Sequence, residues 1–201
     1  MRRLMFAAAI LLVIAAGCKK EENYNQTATT ATETSAAPTS TTTTVTTSTT
    51  GTMSTTTLSD KDKDFVTDAG KGSKAEVELS QDAVSHATNA SVKSFAQKLI
   101  DDHTKANDEL ASIATSKGVT IPSEIQGKMK EAKERLLKLT GKSFDQAYVK
   151  QMVDDHTSTI KMFEDNSKTA ADADVKKFIN KTLPTLREHL KMAKDLSKKV
   201  K

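Results

Sequence analysis

From Ser59 to the end of the chain, apolar side chains recur every three or four positions and almost never every second one. That period gathers them on one stripe of an α-helix, whereas a strand needs alternation. The segment is therefore read as all-α. Its punctuation divides it into four long helices and one short connecting helix, an up-down bundle whose connections join antiparallel neighbours. The first helix spans Asp60–Ala87, with Gly70 and Gly72 expected to weaken its first half. A second follows Asn89–Ser91 and stops before Gly118, a good residue for a helix C-terminus. A third begins at Ile121-Pro122-Ser123, where Ser123 and Gln126 have capping-box spacing, and ends before Gly141. The fourth starts at Ser143, again with a glutamine (Gln146) three residues on. The fifth starts near Asp172–Asp174 and carries Pro184, which is expected to kink or interrupt it.

Advancing 100° per residue gives the buried stripe of each long helix. It runs through Phe65, Ala69, Leu79 and Ala83 in the first. In the second it takes Val92, Phe95, Ala96, Leu99, Ala106, Leu110 and Ile113. The fourth contributes Tyr148, Val149, Met152, Ile160 and Phe163. The fifth contributes Val175, Phe178, Ile179, Leu186, Leu190 and Ala193. Each stripe is broken by one ionisable residue: Glu76, His103, His156 and His189. Glu78 points the opposite way, and His86 lies at the edge of its stripe. Met129, Met152, Met162 and Met192 have core-filling spacing and do not form a copper-binding methionine cluster.

Two of these histidines sit in a repeated phrase. KLIDDHT at Lys98–Thr104 returns as QMVDDHT at Gln151–Thr157, with the histidines 53 residues apart. The aspartate just before each histidine, Asp102 or Asp155, is turned about 100° away on the same helix. It is a poor co-ligand there and is placed to act from the next layer out, pairing across to a neighbouring helix or keeping that face wet. Glu76 and His103 are nearly equidistant from the turn at Asn89–Ala90, and His156 and His189 from Asp172. Each pair is expected at one level of its hairpin, and convergence of all four is an expectation of the bundle.

The N-terminal part is of another kind. MRRLMFAAAILLVIAAGC has the basic start, short apolar run and small residues of a secretory signal peptide. Its end, Ala15-Ala16-Gly17-Cys18, resembles a bacterial lipoprotein lipobox, with Ala15 where such boxes usually carry leucine. The resemblance implies acylation of Cys18, the one cysteine of the chain. Eighteen threonines and four serines then take 22 of the 31 positions from Thr27 to Thr57, leaving too little apolar content for a core. Residues 1–17 are read as the signal, 18–58 as an acylated, disordered tether with a reach of about 35 Å, and 59–201 as the bundle domain. The expected location is the periplasmic side of the outer membrane, held through Cys18. Net charge is +4 with signs mixed along every helix, so no nucleic-acid-binding stripe is present.

The bundle segment resembles a ferritin-like family of exported bacterial proteins of unknown function, often described as predicted outer-membrane proteins. The matching residues begin with Asp64-Phe65-Val66, Ala75-Glu76-Val77-Glu78-Leu79, Val92 with Phe95-Ala96-Gln97, and Asp101-Asp102-His103-Thr104. They continue with Gly118-Val119, Ile121-Pro122, Leu139-Thr140-Gly141, Phe144 to Tyr148, Asp155-His156, Leu183-Pro184 and His189-Leu190. The resemblance implies a ferritin-like four-helix architecture and an envelope location, without an activity. Di-iron bundles place a glutamate three residues before each ligating histidine. Here those positions hold Ile100, Val153 and Leu186, so a ferroxidase centre is not expected.

Two functions stand foremost on the sequence, ahead of a metal-dependent redox or hydrolytic enzyme in the bundle core, which would need an open coordination position and a substrate channel. One is a non-catalytic envelope module that binds a protein or cell-wall partner or serves structurally, with its histidines and glutamate fixing only packing. The other is a metal-binding bundle in which Glu76, His103, His156 and His189 hold one Zn²⁺, Cu²⁺ or Fe²⁺, backed by Asp102 and Asp155. No nucleophile triad or nucleotide-binding loop is present to suggest an enzyme.

Overall fold

The computed structural model describes residues 57–201. The signal segment, Cys18 and all but the last residue of the Thr-rich tract lie outside them. Five helices make up most of the described residues: α1 (Asp60–His86), α2 (Ala90–Ser116), α3 (Lys128–Leu136), α4 (Gly141–Thr169) and α5 (Ala173–Lys199). Among the described residues there is no strand, and no helix is long and apolar enough to cross a membrane.

Side chains cap the starts of three of the four long helices. Ser59 accepts from the Asp62 amide to begin α1, and Asn89 accepts from Ser91 and Val92 to begin α2. Asp172 does the same for α5 through Asp174 and Val175, each bond satisfying a first-turn amide. A fourth, Asp145, lies inside α4 and reaches the other hairpin. Its carboxylate accepts from the Thr88 amide and hydroxyl and from the Asn89 amide, at 3.0, 2.7 and 3.0 Å. Asp62 on α1 returns the favour, accepting from Ala171 and Asp172 in the turn between α4 and α5. Both carboxylates are almost completely buried. Each hairpin thus ties the turn of the other.

These ties also set direction. The start of α4 lies at the α1–α2 turn, and the start of α1 lies at the α4–α5 turn. Hence α2 and α4 run parallel, and the order is up, down, down, up. Antiparallel pairing of sequential helices, expected throughout, holds only within the two hairpins. The connection from Lys117 to Thr140 instead travels the length of the bundle.

That connection departs most from expectation. Helix α2 does end before Gly118, whose left-handed φ of 69° lets the Val119 amide reach back to the Ala114 carbonyl at 2.8 Å. The third helix, however, is not started by a capping box at Ser123–Gln126. Residues 119–126 are irregular, and α3 begins only after Gly127, with no side-chain cap. The segment is pinned to α1 instead. Lys74 Nζ donates to the Pro122 carbonyl, and Ile121 lies so close to Gly70 that a Cβ there would meet it at 2.7 Å. Gly70, expected to weaken α1, sits within an unbroken helix and makes room for the crossover. Helix α4 likewise starts two residues before Ser143, and Gln146 donates to the Val200 carbonyl at the end of α5. Pro184 does not interrupt α5: it sits on the exposed face, where water can take the carbonyl that its missing N–H leaves free.

The core comes in two apolar clusters. One, toward the α1–α2 turn, holds Leu79, Val92, Phe95, Leu99, Phe144, Tyr148, Met152 and Ala193 among others. The second, toward the opposite end, includes Phe65, Val66, Leu110, Phe163, Phe178, Ile179 and Leu186. Each large side chain so buried contributes about 1.5–3 kcal/mol. Ala106, Ile113 and Leu190 pack only partly buried, while Val66, Ala75, Ala114, Phe144, Leu183 and Leu196 join the core beyond the expected stripes. Between the clusters, on all four long helices, lies a thin ionisable layer.

Candidate metal centre

Glu76, His103, His156 and His189 make that layer, at 2%, 5%, 0% and 1% exposure. Each sits about midway along its helix, so two hairpins in register bring all four to one height. His103 Nε2 lies 2.8 Å and His156 Nε2 3.6 Å from Glu76 Oε2. The three imidazole centroids form a triangle with sides of 5.3, 5.3 and 5.6 Å. A donor atom from each of the three rings falls within 4.8 Å of the others.

The outward nitrogens are all engaged. His156 Nδ1 donates to the Met152 carbonyl at 3.0 Å, one turn back on α4. His189 Nε2 donates to Asp102 Oδ2 at 2.9 Å, across from α5 to α2. His103 Nδ1 meets Ser73 Oγ at 3.0 Å, from α2 to α1. A carbonyl and a carboxylate can only accept, which fixes two tautomers. His156 then presents a bare lone pair at Nε2 and His189 another at Nδ1. These two atoms face one another at 3.3 Å with no proton left to share. Close by, the 2.8 Å approach of His103 to Glu76 runs off the line of the ring N–H, so Glu76 Oε2 and His103 Nε2 both lack a hydrogen bond.

Charge in the metal-free layer is split unevenly. Burial works against Glu76 as an anion, but the surrounding imidazoles, His156 and His103 foremost, hold its carboxyl well below the usual range. Burial likewise opposes a charged His103, and the Glu76 carboxylate outweighs it, raising that imidazole's pKa. For His156 burial prevails and the pKa falls. For His189 burial, helped by the charges of the other two rings, outweighs the Asp102 bond and brings the pKa to about 4. The layer thus favours charge on Glu76 and His103 and disfavours it on His156 and His189.

The three histidine donors form the group that could hold one metal ion, and Glu76 borders it beside His103 and His156. Two ligands on a tetrahedral ion at about 2.0–2.1 Å stand about 3.3–3.4 Å apart. The His156–His189 separation of 3.3 Å matches that edge, and His156–Glu76 at 3.6 Å is slightly long. His103 and Glu76 would have to part by about 0.5 Å to share an ion. Ligating histidines characteristically give their second N–H to a carbonyl or carboxylate, which orients the ring. Met152 and Asp102 stand in those places.

Of the two aspartates assigned to the surrounding layer, Asp102 touches a histidine, on the neighbouring helix. Asp155 does not: it accepts from Gln151 at 2.8 Å, and its other oxygen is buried without a partner. Glu78, expected to face solvent, is half-buried and takes Lys133 of α3 at 2.8 Å. His86 is exposed, stacked on Phe144. Ser73 was not singled out by the sequence, although it lies three residues before Glu76 and so on the same face. The Met152 carbonyl carries no side-chain signal at all.

Fold and layer together define a class: an all-α bundle with a buried cluster of three histidines and a glutamate between two apolar layers. The family model described as a domain of unknown function, DUF4142, matches residues 47–196, and the chain belongs to that family. No curated protein matches it. Two solved structures share the fold. A DUF305 fragment from Deinococcus radiodurans superposes with a TM-score of 0.65 at 11% identity, covering 71% of this chain and 99% of its own. A DUF305 protein from Streptomyces coelicolor gives 0.61 at 13% identity, covering 70% and 93%. At such identity the likeness concerns the helical fold.

Proposed function

We propose that the domain binds a single transition-metal ion, Zn²⁺, Cu²⁺ or Fe²⁺, through Glu76 Oε2, His103 Nε2, His156 Nε2 and His189 Nδ1. The observation that carries this is the pair of lone pairs facing each other 3.3 Å apart in a buried layer, each fixed by a hydrogen bond on the far side of its ring. Two acceptors in contact repel, and a cation between them removes the conflict. An ion would also compete with a proton for His103, so binding weakens in acid.

The architecture supports a ferritin-like reading, since one bundle-length crossover between two hairpins is the ferritin-like arrangement. The missing Glu-x-x-His pairs argue for one ion and not a di-iron centre. The Streptomyces relative is named as a protein expected to be secreted. With the signal-like N-terminus, this supports export of the present chain and its attachment to the envelope through an acylated Cys18. A second reading has its own observation: Glu76 and His103 lie 2.8 Å apart, and each favours the charged form of the other. On that reading the layer only sets helix register and the domain is a non-catalytic binding or structural module.

Metal content decides between them. The protein, purified without a metal-affinity tag and measured by elemental mass spectrometry, should carry close to one ion per chain or take one up on addition. His103→Ala should lose it. A folded protein that stays empty with added Zn²⁺, Cu²⁺ and Fe²⁺ leaves the structural reading standing.

A further inference from the structure

The ionisable layer is closed on one side and open on the other. Beside Glu76 and His103, facing α1, the free space is about 30 Å³, room for little more than a water. Between α2 and α5, a cavity of about 230 Å³ opens to solvent and has His103 and His189 in its wall. Ala106 and Leu186 flank those rings, and Thr185 adds a hydroxyl. The cavity is below the size of common cofactor sites, so an occupant has only a few heavy atoms.

Charge selects the kind of occupant. Two of the ionic groups in the cavity wall pair with each other, Lys181 with Glu109 at 2.6 Å, and Asp102 is taken by His189 and Lys98. Lys105 makes no ion pair among the described residues and lines the same opening. A divalent ion held by one carboxylate and three neutral imidazoles keeps one positive charge, and Lys105 adds a second. Four protein donors satisfy a tetrahedral ion, but zinc expands to five ligands and copper(II) prefers tetragonal geometry with further positions.

Resting on the metal reading above, we infer that the centre accepts a small monovalent anion as an additional ligand, admitted through the α2–α5 cavity past Ala106 and Thr185. The site is thus one for metal-bound exogenous anions of azide or formate size, and not a sealed structural site.

The test uses the whole chain loaded with one equivalent of Cu²⁺, its copper content measured before each titration with sodium azide. Azide on copper(II) announces itself by a charge-transfer band and a changed electron paramagnetic resonance spectrum. The unaltered protein should show a saturable band. Thr185→Phe and Ala106→Leu, which fill the cavity without touching a donor atom, should keep their copper and weaken azide binding by about tenfold or more. Lys105→Glu, at the surface, should weaken it about three- to tenfold, and less at high ionic strength. A protein with stoichiometric copper but no azide response overturns this inference and leaves the metal site intact. Equal azide affinity in the unaltered protein and both filled variants overturns the route. A chain that holds no copper overturns the metal reading and this one with it.

Discussion

The two Asp-Asp-His-Thr segments are the same four residues on parallel helices, yet their second aspartates live in opposite electrostatic states. Asp102 accepts from His189 and from Lys98, at 2.9 and 3.0 Å. Burial disfavours its charge, but those two bonds outweigh burial and lower its pKa. Asp155 accepts only from neutral Gln151. Burial therefore prevails, the Glu76 and Asp154 charges add to it, and the carboxyl is pushed up to about 6. The difference lies in what stands four residues earlier, lysine or glutamine, and in which helix is across the way. A repeated motif fixes where side chains are placed; the neighbours decide what they do.

The equivalence of the two copies extends beyond the motif, and the largest expected effect tests it there. Eight residues before each histidine stands a buried aromatic, Phe95 in one copy and Tyr148 in the other, both in the same apolar cluster. Phe95→Ala should cost about 3–5 kcal/mol in urea unfolding, as for a large aromatic removed from a packed core. Tyr148→Ala should cost at least as much, because it also strips Ser80 of its 2.8 Å hydroxyl partner. A loss below about 1 kcal/mol at Phe95 would show that the apolar layer does not hold the ionisable one in place.

A sharper contrast comes from removing each charge in the metal-free protein. Asp102 titrates below its unfolded value, so it stabilises the fold at pH 7, and that contribution disappears as pH falls through its folded pKa. Asp102→Asn should cost about 1–3 kcal/mol at neutral pH, the range for a hydrogen bond to a charged group, and little in acid. Asp155 works in the other direction. The native state takes its proton near pH 6 and the unfolded chain near 3.8, so the native state binds more protons in between. Stability then rises as pH drops through that window. Asp155→Asn should gain about 1–2 kcal/mol at pH 7, discounted for solvent screening, and lose the advantage by about pH 4. Chemical denaturation from pH 7 to 4 reads both variants, and equal signs would erase the distinction between the copies.

Much of this was legible in the chain itself. A 3.6-residue period and its interruptions gave five helices and put Glu76, His103, His156 and His189 on core faces, because helical geometry is local. Heights within each hairpin followed from counting back to the turns. What escaped was decided by contacts distant in sequence. Ser123 and Gln126 have capping-box spacing, but docking of Ile121 on Gly70 holds that stretch in another conformation. Gln146 is turned away from the start of its own helix by the Val200 carbonyl. That Asp102 would meet His189 needs the packing of α2 on α5, 87 residues apart. Asp62 and Asp145 look like ordinary first-turn acids, and only the folded bundle shows each tying the opposite turn.

The smallest expected effect isolates the one-residue difference between the copies. Gln151→Lys gives Asp155 the partner that Lys98 gives Asp102, at the same i to i+4 spacing on a half-exposed face. The ammonium would favour the charged carboxylate, draw the Asp155 pKa down from about 6, and stabilise the bundle at pH 7 by about 1 kcal/mol. The gain should shrink in acid, once Asp155 is protonated. Carbon-detected NMR of the aspartate carboxyls follows the pKa directly, and urea unfolding follows the stability. A carboxyl that still titrates near pH 6 in Gln151→Lys would place the cause in burial and the Glu76 field. The missing lysine would then be incidental, and the two copies would differ by depth in the bundle and not by partner.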